Sequence, residues 1–236
     1  MIRKFSIALL LIIPSLTFAI DLEGYYINAK GGVSKSFNTG VTSITTLTFQ
    51  NEDLGSGKAF GFSLGKYLSD NSRLELEAIK RTGYDFDTNV STPGFTHLSE
   101  KAKIQTETLF INGFYDFQLF TVRNIPITPY IGGGVGISRN KMGTEATYHN
   151  GIFSGISFDG NTINQFAYKL SAGTLFSLTE QLSLDVNYQY VNLGSFKGGT
   201  KYYINGVRYP PSDRTIGVNG GEIKTQEIIV GLQYNF

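Results

Sequence analysis

The chain has no cysteine, so disulfide staples, thiolate metal sites and cysteine nucleophiles are all excluded. Histidine is nearly as scarce: His97 and His149 are the only two. Charge of one sign is missing too, with 20 Lys+Arg against 19 Asp+Glu, which leaves no basic excess for nucleic acid. Prolines number six, and no segment shows a convincing helical period. Beyond the first twenty residues there is no run of about 18 apolar residues, so no transmembrane helix is available. What the sequence does have is glycine, 28 of 236 residues, together with 14 tyrosines and 18 phenylalanines.

At the N-terminus Arg3 and Lys4 precede the apolar run Ile7 to Ile13, and Thr17-Phe18-Ala19 supplies small residues at a cleavage spacing. This is the layout of a secretory signal peptide over residues 1–19, leaving residues 20–236 as one domain. Without Arg3 and Lys4, 18 basic residues face 19 acidic ones, a net charge of −1. Export without cysteine is consistent with a fold that needs no staples.

The strongest pattern is at the other end. In Glu222 to Phe236, Ile228, Val230, Leu232, Tyr234 and Phe236 alternate with Thr225, Glu227, Gly231, Gln233 and Asn235. Period-two alternation marks a strand with unlike environments on its two faces. Seven earlier segments share it: 24–34, 58–68, 73–84, 103–117, 129–138, 165–176 and 182–191. In the segment 103–117, Phe110 and Phe114 fall on the polar side, where a β-bulge would return them to the apolar face.

Connections 69–72 and 177–181 are tight and 118–128 is moderate, whereas 35–57, 85–102, 139–164 and 192–222 read as long polar loops. Long loops after strands one, three, five and seven all lie at one end of an up-and-down barrel. The expected fold is therefore all-β: an eight-stranded antiparallel up-and-down transmembrane β-barrel with long extracellular loops and periplasmic termini. Hydrocarbon leaves no partner for an open sheet edge, so the last strand must pair with the first.

Pro129-Tyr-Ile-Gly-Gly-Gly-Val-Gly136, Leu184-Asp-Val-Asn-Tyr-Gln-Tyr190, Asn112-Gly-Phe-Tyr-Asp116 and Val230-Gly-Leu-Gln-Tyr-Asn-Phe236 resemble the small eight-stranded outer-membrane proteins of the opacity and surface-antigen type. The resemblance covers nearly all of the chain apart from its loops. It implies the outer membrane of a Gram-negative cell, with outer-membrane lipid and lipopolysaccharide as surroundings. The terminal aromatic motif looks like the signal read by the barrel-assembly machinery. Members are often surface antigens or adhesins, which makes a host-cell or matrix protein the expected partner. No cofactor and no enzymatic activity are implied.

Two sets of residues carry candidate chemistry. Lys30, Arg73, Glu75, Glu77, Arg81, Asp116, Lys169, Asp185 and Glu227 fall on inward faces, in a space that side chains just fill. Four cations and five anions there are expected to pair as a structural plug, with Glu227 facing Lys30 on the adjoining first strand. The inward glycines of Gly132 to Gly136 leave room for long charged side chains, and no helix follows them as a phosphate loop would require. The second set lies in the last long loop: Lys197, Lys201, Tyr202, Tyr203, Arg208 and Arg214. Aromatic and basic residues together suit a protein interface or an anionic glycan. An adhesin presenting four loops is the leading reading. A narrow porin-like channel is the alternative, and a lipid-modifying barrel using His97 or His149 comes third.

Overall fold

In a computed structural model, the structure describes residues 22–37, 40, 42–43, 48–49, 54–92, 95–210 and 218–236; the signal-peptide expectation falls outside them. Eight long strands form the staves: β1 (Tyr25–Phe37), β2 (Ser56–Ser69), β3 (Ser72–Thr92), β4 (Phe95–Asp116), β5 (Ile125–Met142), β6 (Asn161–Ser177), β7 (Leu182–Lys197) and β8 (Val218–Asn235). Each pairs antiparallel with the next. β8 pairs back onto β1, from Tyr26 opposite Asn235 to Phe37 opposite Lys224. The ring is closed, so the staves leave no sheet edge in contact with lipid.

Outward positions form an apolar belt that includes Phe62 (69% exposed), Phe166 (66%), Leu170 (64%) and Ile137 (62%). Side chains this apolar and this exposed are stable only where hydrocarbon replaces water. At one end the connections are tight. Asp70-Asn71 joins β2 to β3, and residues 178–181 join β6 to β7. Before β5 the short strand Phe120–Val122 folds back on Ile125 to Ile127. Its turn residues Arg123 and Asn124 both have positive φ (49° and 66°), the geometry of a two-residue type I′ turn.

At the other end the structure corrects the loop expectation. Residues 85–92 and 95–102 are strand, not loop: β3 and β4 stay paired from Asp85 opposite Lys103 to Thr92 opposite Phe95. Most of 139–164 is also strand, with Glu145–His149 and Ile152–Phe158 forming a hairpin between β5 and β6. Within 192–222, Tyr202–Ile204 and Val207–Tyr209 form another, which pairs with Ile152–Phe158. β3 and β4 contain 21 and 22 residues, about 70 Å of extended chain and roughly twice the 9–11 residues that cross a membrane. Their upper outward faces meet water and are polar, which is why the sequence there reads as loop.

β4 needs no bulge. Its register is unbroken from Ile104 opposite Met142 to Asp116 opposite Tyr130, and Phe110 and Phe114 point inward and are buried. The register shifts on β3, between Arg81 and Tyr84, where Gly83 adopts φ +90°. A second shift on β7, between Asn192 and Ser195, includes Gly194 at φ +73°.

Candidate functional site

β3 is the keel of the lumen. Its alternating Arg73-Leu-Glu-Leu-Glu-Ala-Ile-Lys-Arg81 turns Arg73, Glu75, Glu77 and Arg81 inward, all buried. Lys30 of β1 lies 2.7 Å from both Glu75 Oε1 and Glu77 Oε2. Lys169 of β6 reaches Glu77 Oε1 at 2.5 Å and Gln189 at 3.4 Å. Arg81 grips Glu227 of β8 through Nε (2.6 Å) and Nη2 (3.0 Å). Glu227 also accepts from Ser34, Thr225 and Gln189. Its partner is thus Arg81 rather than Lys30, because the register puts Ser34 opposite Glu227 and Lys30 opposite Gly231.

Nearer the turn end, Arg73 bonds Asp116 at 3.1 Å and lies over the rings of Phe114 (4.4 Å) and Tyr130 (4.5 Å). Asp185 pairs with no cation among the described residues; it accepts from Tyr130 Oη (2.6 Å) and Asn28 Nδ2 (3.0 Å). Neutral donors therefore hold the fifth acid, where sequence reasoning expected ion pairing throughout. The room left by the β5 glycines is also filled differently. A Cβ on Gly132 would strike the Phe114 ring, and one on Gly134 would strike the Asn112 amide.

Above the ions the lumen changes character. Tyr84, Phe86, Ile104, Phe110, Met142, Val191, Leu193 and Phe196 belong to one buried apolar cluster. Tyr84 marks the seam: its hydroxyl lies 2.5 Å from Ser34 Oγ, and Ser34 bonds Glu227 at 2.6 Å. With the Ser34 proton on Glu227, Tyr84 is the donor to Ser34. Phe110 links the layers, its ring 5.4 Å from the Lys169 ammonium. At the Gly194 bulge, Asn140 Nδ2 caps the carbonyls of Leu193 (2.7 Å) and Ser195 (2.8 Å).

The first raised hairpin is joined to β4, with Leu98 to Lys101 opposite His149 to Ala146. Lys197, Lys201 and Arg208 are exposed and Tyr203 is half-buried. Lys201 lies 3.9 Å from Asp159, an acid from the preceding hairpin. Tyr202 departs from the ligand-contact expectation. It is 8% exposed, held between Phe158 (6.0 Å) and Tyr209 (5.5 Å, stacked). Arg214 and the His97 side chain lie outside the described residues; His149 is exposed, opposite Leu98 and Ile152.

A closed ring of eight staves, an apolar outer belt and a polar interior together specify a membrane-spanning barrel, and comparison with known proteins supplies its family. The model of the outer membrane protein beta-barrel domain matches residues 5–236. The chain belongs to that family. As an outer-membrane barrel it is in contact with lipid around its belt. It is 25% identical to outer membrane protein PagN of Salmonella typhimurium, over 91% of this chain and 90% of PagN. It is 29% identical to a putative adhesin of Rickettsia prowazekii, over 88% of this chain and 92% of the relative. The crystal structure of Neisserial surface protein A is similar in fold, with a TM-score of 0.52 at 16% identity, covering 91% and 98% of the two chains.

All nine inward charges named from alternation are buried in this barrel's lumen. The tight hairpins above the belt were missed, although Asn150-Gly151 and Asn205-Gly206 announce them. Both pairs have positive φ at both residues, and Asn-Gly between alternating segments is the strongest short hairpin signal.

Proposed function

We propose that this outer-membrane barrel is a surface adhesin whose long connections face outward and present raised β-hairpins to a host or neighbouring-cell ligand. The observation that carries the reading is the pair of hairpins at 145–158 and 202–209, joined edge to edge and carried on the extended end of β4 through the pairing of Leu98 to Lys101 with His149 to Ala146. A platform of this kind holds Ile152 (74% exposed), Phe153 (51%) and Val207 (61%) in water, beside exposed Lys197, Lys201 and Arg208. Exposed apolar groups rimmed by cations suit recognition of a partner surface. The Rickettsia prowazekii relative carries an adhesin name, which supports the same reading.

In this reading the short turns and both ends of the barrel lie on the periplasmic side, and Val230 to Phe236 serves the assembly machinery. The lumen favours an adhesin over a channel. Ion pairs fill its lower part and hydrocarbon its upper part, so conducting ions would require prising apart both layers. The test uses cells expressing either the native chain or a chain with 145–158 and 202–209 each replaced by a two-residue turn. Loss of binding to host cells or matrix proteins, at equal surface amounts, is expected. Equal binding by the two would sink the adhesin reading, and reproducible unitary conductance in planar bilayers would favour the channel.

A further inference from the structure

The ions of the lumen divide unevenly along its axis. In the middle, Lys30, Lys169 and Arg81 balance Glu75, Glu77 and Glu227, three against three. At the tight-turn end Arg73 alone faces Asp116 and Asp185, so one negative charge is left over. Both oxygens of Asp185 are occupied, one by Tyr130 and one by Asn28. Asp116 is different. Arg73 meets its Oδ1 through Nε and sends Nη1 to Tyr26 and Gln233. Oδ2 of Asp116 has no partner among the described residues, although the side chain is only 3% exposed.

Asp116 lines a cavity of about 430 Å³ whose walls come from β2, β4, β5, β6, β7 and β8, so it spans the mouth of the barrel. Its volume is within the range of small-molecule sites. Asp70 on the β2–β3 turn and Glu180 on the β6–β7 turn add two carboxylates, and among the described residues no Lys or Arg lines it. Phe117, Leu119 and Leu175 supply apolar surface. The acids are too dispersed for a metal: among the described residues no group of His, Cys, Asp and Glu gathers closely enough to hold one. A buried acceptor without a donor is costly. Water can bring the donor but not the missing charge, whereas an ammonium brings both.

We propose that this mouth is a binding site for a short aliphatic diamine. One ammonium donates to Asp116 Oδ2 and offsets the surplus charge at this end of the lumen. The methylene chain covers the apolar surface of Phe117, Leu119 and Leu175, and the second ammonium meets the carboxylates Asp70 and Glu180. In the orientation proposed above, the ligand arrives from the periplasm, at the end opposite the raised hairpins. A lysine side chain of a peptide presents the same chemistry with one ammonium in place of two.

The experiment refolds the full chain into phosphatidylcholine nanodiscs and titrates diaminopentane by calorimetry. One saturable site per barrel is expected, and none for pentanediol, which has the same length and no charge. Asp116→Asn keeps an oxygen beside Arg73 and should weaken binding about tenfold or more, the cost of one charge-assisted bond. Asp70→Asn and Glu180→Gln lie on exposed turns outside the buried ion pairs, so they test the site even if Asp116→Asn fails to refold. Each should weaken binding about twofold to fivefold. Glu107→Gln, on the outward face of β4, should leave it unchanged. Equal binding of pentanediol by the native chain overturns the proposal, as does native affinity in Asp116→Asn or in both turn variants. Displacement by magnesium ions at matching concentration would reduce the mouth to a simple cation site and overturn the diamine assignment. Tighter binding of Nα-acetyl-lysine amide than of the diamine would overturn it in favour of a peptide lysine. Adhesion is scored separately on cells, so either reading can fail without the other.

Discussion

The inward faces of β3 and β4 carry Arg73, Glu75, Glu77, Arg81 and Asn112 at one end but Tyr84, Phe86, Ala102 and Ile104 at the other, all buried. The same two strands thus build an ionic interior and an apolar one. The difference follows from what lies outside. Where the belt faces hydrocarbon, moving an apolar side chain inward gains nothing, because lipid is as apolar as a core. The interior there is left to polar groups that must satisfy one another. Above the belt the outside is water, the hydrophobic effect returns, and the wall inverts, with Asp85, Asp87, Lys101 and Lys103 outside and Tyr84, Phe86, Ala102 and Ile104 inside. The bulge at Gly83 sits at the crossover. From Arg73 to Arg81 the inward residues are odd-numbered, and after the extra residue Tyr84 and Phe86 take their place.

Removing one member of the ionic layer should cost most. Arg81→Ala strands Glu227 without its two-pronged partner and is expected to destabilise the refolded barrel by about 3–5 kcal/mol. Glu77→Ala belongs to the same class, since Glu77 serves both Lys30 and Lys169. Guanidinium midpoints in lipid vesicles measure both, and shifts no larger than those of exposed charges would erase the contrast between the layers. Next comes Ile104→Ala in the apolar layer, at about 2–4 kcal/mol for the transfer and cavity terms together. Its effect should be confined to the raised end: hydrogen exchange and protease cleavage rise in 85–102 and 145–158 while the belt stays protected. Uniform loss of protection throughout the barrel would show that the two layers unfold as one. Smaller again is Gly83→Ala, about 1–2 kcal/mol, because a Cβ at positive φ is strained. A neutral result by the same denaturation assay would mean that the bulge is not needed where the wall inverts.

How much of this could be read from residues divides along the same line. Within the belt every outward–inward assignment rests on alternation between apolar and polar, and the closure of β8 onto β1 follows from the absence of a tolerable edge. Above the belt that contrast changes sign. Asp85, Asp87, Lys101 and Lys103 look like loop residues because their polarity faces water, and the parity break at Gly83 hides the continuation of β3. Phe110 and Phe114 suggested a bulge on the wrong strand, since an aromatic facing a lumen is unexpected until Lys169 and Arg73 are seen against the two rings. The buried state of Tyr202 was illegible for another reason: its neighbour Phe158 is 44 residues away and is brought close only by pairing between two hairpins.

The smallest expected effect is on the outer wall, at Lys101. Its bond to Asp87 is short, but the two side chains are 47% and 53% exposed, and an exposed pair of this kind contributes at most about 0.5–1 kcal/mol. The hydrogen bond to Asp87, and then the charge of that carboxylate, raise the Lys101 pKa above its ordinary value. A raised ammonium stabilises the fold fully below the unfolded lysine value, and that contribution is lost as the pH climbs through the folded one. Lys101→Gln should therefore lower the urea midpoint slightly at neutral pH, and the gap from the native chain should close in strong alkali. A gap as large as that of Arg81→Ala, or one that widens with pH, would mean that the water-facing wall is held by its charges as the lumen is, and the contrast between the two ends of β3 would fail.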